Sequence, residues 1–175
     1  MEEETDIKNF ETGEEVVTKR NFAASNPVFY AQRFTPFKTV GSIVNYDNTV
    51  VNIGNGLDQD AGIFTAPITG IYVFYFSALK NWGTVQMTIR VIHNDKTINS
   101  RQASSGERVA GDHWATLETQ MTLPMNAGDT VGIMLQSGDI YDKKLPSDYI
   151  GRATTFSGFL LQGPMTTGEL YSYIL

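Results

Sequence analysis

From Asn26 to Gln162 the chain consists of short runs of β-branched and aromatic residues, broken every few positions by Gly, Asn, Asp, Ser or Pro. No window carries a strong helical period. With no helices between them, the runs must bury their apolar faces against one another, which leaves a β-sandwich, jelly roll or barrel. The expected strands are Val28–Phe34, Gly41–Tyr46, Thr49–Ile53, Gly62–Ala66, Gly70–Leu79, Val85–His93, Lys96–Ser104, His113–Leu123, Thr130–Ser137 and Thr154–Leu161. Turn signals separate them, among them Asn55-Gly56, Asn94-Asp95, Ser105-Gly106 and Asn126–Asp129.

The runs are not alike. Val85, Met87, Ile89 and Val91 alternate with Gln86, Thr88, Arg90 and Ile92, the pattern of a strand with one buried face. Ala115, Leu117, Thr119, Met121 and Leu123 alternate in the same way with Thr116, Glu118, Gln120 and Thr122. Gly70–Ala78 does not alternate. Tyr72, Phe74 and Phe76 lie on one face, and Ile71, Val73 and Tyr75 on the other. A sandwich strand has one core side, so the second apolar face must be covered, by a partner subunit or by a loop of the same chain.

At 175 residues, 41% of them hydrophobic, the chain suits one domain that folds without a disulfide or a structural metal. Collagen is excluded by ordinary glycine usage without a Gly-X-Y period. No apolar run approaches the length that spans a membrane. The start is acidic rather than basic and then apolar, so no signal peptide is expected within the chain as written. Residues 1–20 hold seven of the 19 acids against three bases, which places most of the net charge of −6 there. Residues 1–25 therefore read as an acidic arm, either an interaction tail or a solvated leader. An acidic chain suits phosphate-backbone binding poorly, and no nucleic-acid partner is expected. Cysteine is absent, which removes redox chemistry and is neutral on compartment.

Tyr46, Asn52, Leu57, Phe64, Gly70, Tyr72, Phe74 and Phe76 fall at the spacings of a known pattern. In it an aromatic is followed by Asn or Asp, a bulky apolar residue, Phe, and then Gly-x-Tyr-x-Phe-x-aromatic. Over Asn26–Gln162 the chain resembles the globular-head domain of complement C1q. Val28–Arg33 is similar to that family's first strand and Phe156–Leu161 to its last. Leu123–Asp129 resembles the turn before the penultimate strand. One departure is Tyr46, where the family usually has Phe. The resemblance implies a ten-stranded jelly roll of the C1q and tumour-necrosis-factor type, assembled as a homotrimer. The domain would span 26–162, with 163–175 as a C-terminal extension. It also implies a secreted, extracellular protein that acts by binding. The first reading is a lectin-like recogniser of microbial or anionic glycans in innate immunity. A signalling or adhesion ligand for a protein receptor and an extracellular-matrix structural protein remain alternatives.

Signals for catalysis are few. His93 and His113 are the only near-neutral bases, and there is no Gly-x-Ser-x-Gly elbow, phosphate loop or His-Glu-x-x-His, so no enzyme is expected. Calcium is the metal that the loop carboxylates suggest, since it takes about six to eight oxygens from several loops. The candidates are Asp95 and Asp112, and Asp95 lies on a turn that resembles a contributor in some family members. Ala103 stands at the position matching a second acidic ligand. For ligand recognition, Ser137–Gly151 combines aromatics, acids and lysines between two strands. Tyr141 and Tyr149 offer stacking surfaces; Lys143, Lys144 and Arg152 offer cations for an anionic sugar or a lipid phosphate. The alternative is a connecting loop without a binding role.

Overall fold

The computed structural model describes residues 26–104, 114–142 and 153–164, and every regular element among them is a strand. In chain order they are β1 Val28–Arg33, β2 Asn48–Ile53, β3 Leu57–Asp58, β4 Ile63–Thr65, β5 Gly70–Lys80 and β6 Gln86–His93. β7 Lys96–Ser104, β8 Ala115–Met125, β9 Thr130–Ser137, β10 Ile140–Tyr141 and β11 Thr154–Gln162 follow. They form two antiparallel sheets. One runs β2-β1-β11-β5, with β8 on the far side of β5; the other runs β3-β4-β9-β6-β7. β10 takes over beside β5 where β11 has not yet begun, pairing Ile140 and Tyr141 with Lys80 and Leu79.

The sheets face each other across a core of rings. Phe29 lies 5.0 Å from Phe64 and 4.9 Å from Phe156, and Phe64 lies 5.4 Å from Phe74, centroid to centroid. The rings close this tightly because β11 carries glycine opposite them. A Cβ at Gly158 would sit 2.6 Å from Phe74 and 2.7 Å from Phe29. Each buried ring contributes about 1.5–3 kcal/mol of transfer free energy, so the aromatic stack is the main cohesive term between the sheets.

The alternating patterns land as expected. Met87, Ile89 and Val91 are buried from β6, and Leu117, Thr119 and Met121 from β8. Val85 is the exception: it precedes β6 and is 54% exposed. The expected strand Gly41–Tyr46 is not regular. Gly41 has a positive φ of 82°, and the segment touches β9 through Gly41 N–Leu135 O, Leu135 N–Ser42 O and Val44 N–Ile133 O with a single bridge at Ile43. It buries Val44 and Tyr46 without forming a continuous ladder. β3 and β10, two residues each, are too short to show a period in sequence. β8 runs past Pro124, which is tolerated because among the described residues β8 pairs only with β5 and its other side is an edge.

Tyr46, the departure from Phe noted above, packs 5.8 Å from Phe156, and its buried hydroxyl has no hydrogen-bond partner among the described residues. Burial raises its pKa well above the ordinary 10.0, with Arg33 pulling the other way. The folded state therefore holds Tyr46 protonated. That contribution is complete below about pH 10 and is lost as pH rises, because the unfolded chain ionises first. Tyr46→Phe should stabilise the domain by about 1 kcal/mol at neutral pH and lessen its loss of stability above pH 10. Urea midpoints at neutral and alkaline pH check this; a midpoint that falls on substitution would show that the hydroxyl is partnered.

Candidate functional site

The chain enters and leaves the first sheet at one end, the base, where Val28 pairs with Phe159 and Gly70 sits beside the carbonyl of Gln162. The opposite end, the apex, gathers the end of β1, the β5–β6 turn, the start of β8, all of β10 and the start of β11. Arg33 anchors it from below. Its guanidinium donates to Thr35 O at 2.8 Å, Pro36 O at 3.1 Å, and Asn45 O and Oδ1 at 2.8 and 2.7 Å, and lies 4.9 Å from the Phe37 ring. Burial lowers its pKa, while Asp47, Tyr46 and Asp142 draw it back up. Asp47 Oδ2 in turn accepts Phe34 N and Thr35 N at 2.6 and 3.1 Å. The backbones of Phe37 and Ile140 exchange two hydrogen bonds of 3.0 and 2.9 Å, which tie β10 to this base plate.

The β5–β6 turn is held from inside. Lys80 is fully buried, and its ammonium donates to Thr84 O and, at 3.1 Å, to Asn81 O. Desolvation lowers its pKa below the ordinary value. Asn81 N bonds Asp139 O at 3.0 Å, and Lys38 lies 3.6 Å from the Asp139 carboxylate. Over this knot stand three rings. Trp114 meets Tyr141 edge-on at 4.4 Å, and Trp82 meets Trp114 at 6.3 Å. Asp142 is buried, and its Oδ2 accepts Thr154 N at 3.0 Å. The two stems of residues 143–152 are thus clamped together beside the end of β5.

Of the residues expected to bind ligand, Tyr141 lies at this apex. Lys143, Lys144, Tyr149 and Arg152 lie outside the described residues, as does Asp112. Asp95 occupies the β6–β7 turn with a φ of 62° and is exposed. β7 runs from beside Asp95 to Ser104 at the other end of the sheet, where the segment carrying Asp112 departs. No group of three His, Cys, Asp or Glu side chains placed to hold a metal occurs among the described residues. His93 lies near the base, 3.9 Å from Asp129; His113 is outside the described residues. Sequence reasoning passed over Trp82 and Trp114. A large ring inside the turn Asn81-Trp82-Gly83 was the available signal, since a ring in a turn has no core to enter.

The outer face of the first sheet is the second candidate surface. Register aligns Thr122, Val73, Phe159, Val28 and Ile53 in one row, and Gln120, Tyr75, Ser157, Tyr30 and Val51 in the next. Tyr75, Phe159 and Ile53 are 42%, 37% and 41% exposed, so the chain's described residues leave the second face of β5 only partly covered. A depression of about 450 Å³ opens there between Tyr75, Ser77, Glu118, Gln120 and Thr155.

A two-sheet jelly roll with one apolar outer face is the build of a self-associating, ligand-type binding domain. The C1q domain family matches residues 28–161, and the chain belongs to that family. It is 34% identical over 123 residues to Caprin-2 of Danio rerio, covering 70% of this chain and 12% of that protein. It is 28% identical over 133 residues to complement C1q tumor necrosis factor-related protein 3 of Mus musculus, covering 76% of this chain and 50% of that protein. The chain thus spans half or less of the length of these curated relatives. Among solved structures, the globular domain of zebrafish complement 1qA superposes with a TM-score of 0.61 at 16% identity, covering 78% of this chain and 98% of that one. Eiger TNF from S. frugiperda gives 0.63 at 13%, covering 81% and 96%. Trimeric assembly is typical of the family, whose domains are generally binding and signalling modules rather than enzymes.

Tyr75→Asp places a charge in the middle of the apolar outer face, where burial against another copy would leave it unpaired. The wild type should run at three times the 19.4 kDa chain mass, or a multiple of it, by light scattering, and the variant at the monomer mass. A variant that keeps the wild-type mass would remove this face from the assembly.

Proposed function

We propose that the chain is a secreted, non-enzymatic homotrimeric recognition protein, a lectin-like binder of anionic microbial glycans in innate immunity, and that it binds through residues 143–152. The observation that carries this reading is the clamp between Asp142 and Thr154. It ties Asp142, just past β10, to Thr154, the first residue of β11, at the end of the sandwich opposite the base, and the sequence between them carries Lys143, Lys144, Tyr149 and Arg152. A rigid scaffold that presents a polar, cationic segment at its far end is the usual way a β-domain carries a binding site. One head binds weakly, because a shallow polar contact yields little after desolvation and ordering. Three heads on one trimer raise apparent affinity by roughly 10²–10⁴ where spacing matches the target. Secretion is typical of the family's C1q-related members and accords with this role.

The test is binding to a lipopolysaccharide-coated surface, with and without calcium, for wild type and for Lys143→Ala with Lys144→Ala. Wild-type binding should weaken as salt rises. The double variant should lose about tenfold or more at unchanged trimer mass, since two cations leave every head. Wild-type affinity in the double variant would dismiss the loop. Absence of binding to any glycan would move the reading to a ligand for a protein receptor. The likeness to a tumor necrosis factor-related protein favours that second reading.

A further inference from the structure

We propose that Trp82, Trp114 and Tyr141 form a stacking subsite at the apex for the apolar C–H face of an uncharged pyranose sugar. The proposal rests on the glycan-binding reading above and adds a second contact chemistry to it. Trp82 is 52% and Trp114 44% exposed, and Tyr141 is half-buried. Indoles left in water while a well-packed core lies a few residues away cost free energy, and an ordered exposed aromatic cluster marks a contact surface.

The cluster is built rather than accidental. Tyr141 sits on β10 in register with Leu79, and Trp114 directly precedes Ala115, which pairs with Lys80. The turn carrying Trp82 is pinned by the buried Lys80 ammonium and by Thr84 N on Asn81 O at 3.1 Å. Main-chain ties of this kind leave the segments that carry the rings little backbone freedom to lose on binding.

Area and charge choose the occupant. A whole aromatic side chain offers about 150–250 Å², so two half-exposed indoles and part of a tyrosine present on the order of 250 Å². That is far below the roughly 800 Å² per partner of a stable protein interface, and it suits one sugar ring. Polar groups on this end among the described residues include Asn81, Asp139 and Lys38. Among the described residues Lys38 and Asp139 already pair at 3.6 Å, so this part of the rim is balanced in charge and offers donors and acceptors for hydroxyl groups. A second copy of the chain fits less well. The polar row Glu118, Ser77, Thr155 and Gln32 separates the rings from the rows that carry Tyr75 and Val73.

The chain has two tryptophans, both in this cluster, so indole emission from the intact protein reports on the subsite alone. The experiment titrates wild-type protein with methyl β-glucopyranoside, whose ring presents axial C–H bonds on both faces, and with mannitol as an open-chain polyol control. The expected result is a saturable emission change in the millimolar range with the glucoside and none with mannitol. Trp82→Ala should lower the glucoside affinity about tenfold or more, at unchanged mass and melting midpoint. Trp114→Phe, which keeps a ring, should lower it less. No saturable change in the wild type overturns the subsite. Wild-type affinity in Trp82→Ala overturns it also, and so does a Trp82→Ala protein of lower mass, which would mean that the rings are covered by another copy. Lipopolysaccharide binding, measured on the same samples, separates the two claims. Binding there without an indole response sinks the subsite and leaves the glycan reading intact. Failure to bind either probe sinks both.

Discussion

β5 is hydrogen-bonded on both sides for nearly its whole length, to β8 on one flank and to β11 and then β10 on the other. Both of its faces are apolar, so it cannot be satisfied by one core. Its even-numbered residues Tyr72, Phe74 and Phe76 enter the core between the sheets, where Phe64 meets Tyr72 and Phe29, Phe64 and Phe156 meet Phe74. Its odd-numbered residues Val73 and Tyr75 face outward beside Phe159 and Gln120. The same strand therefore builds the core and carries an outward face that the described residues leave only partly covered. Its two ends carry the remaining logic. Gly70 passes where any Cβ would meet Gln162 O at 2.5 Å, and Lys80 turns inward to hold the apex.

The apex shows how a sandwich end becomes a platform without helices. Three cationic or anionic side chains are spent inside it. Arg33 satisfies the carbonyls of an irregular segment, Lys80 those of a tight turn, and Asp142 receives the first amide of β11. Each replaces backbone partners that a regular ladder would have supplied, and unpaired buried carbonyls and amides are costly. With those groups satisfied, the strand ends at the apex form a fixed frame for the loops that leave it. This division between a fixed scaffold and the loops it presents is what lets one fold serve many ligands.

Much of the architecture was legible along the chain. Alternation in Met87–Val91 and Leu117–Leu123 named the buried faces correctly, because period-two burial is a local property of an extended strand. The unbroken apolar run at Gly70–Ala78 identified the strand with a second face to cover. Where a segment's conformation depended on neighbours, local pattern misled: Gly41–Tyr46 has strand composition, yet it meets β9 only irregularly because Gly41 turns the chain. The two-residue strands β3 and β10 owe their existence to the partners they meet, and nothing in two residues can announce that.

The candidate site divides the same way. Sequence alone determined that the protein is all-β, that it has an apolar strand needing cover on both faces, and that Tyr141 begins a cationic, aromatic stretch. These follow from composition and spacing within a few residues. Only the tertiary structure decided that Trp82, Trp114 and Tyr141 meet, and that Asp142 closes onto Thr154. The rings are dozens of positions apart in the chain. They are neighbours solely because Lys80 at the end of β5 has Ala115 on one side and Ile140 on the other. Strand register is a property of pairs of segments, set by which apolar faces can be buried together, and no single segment contains it.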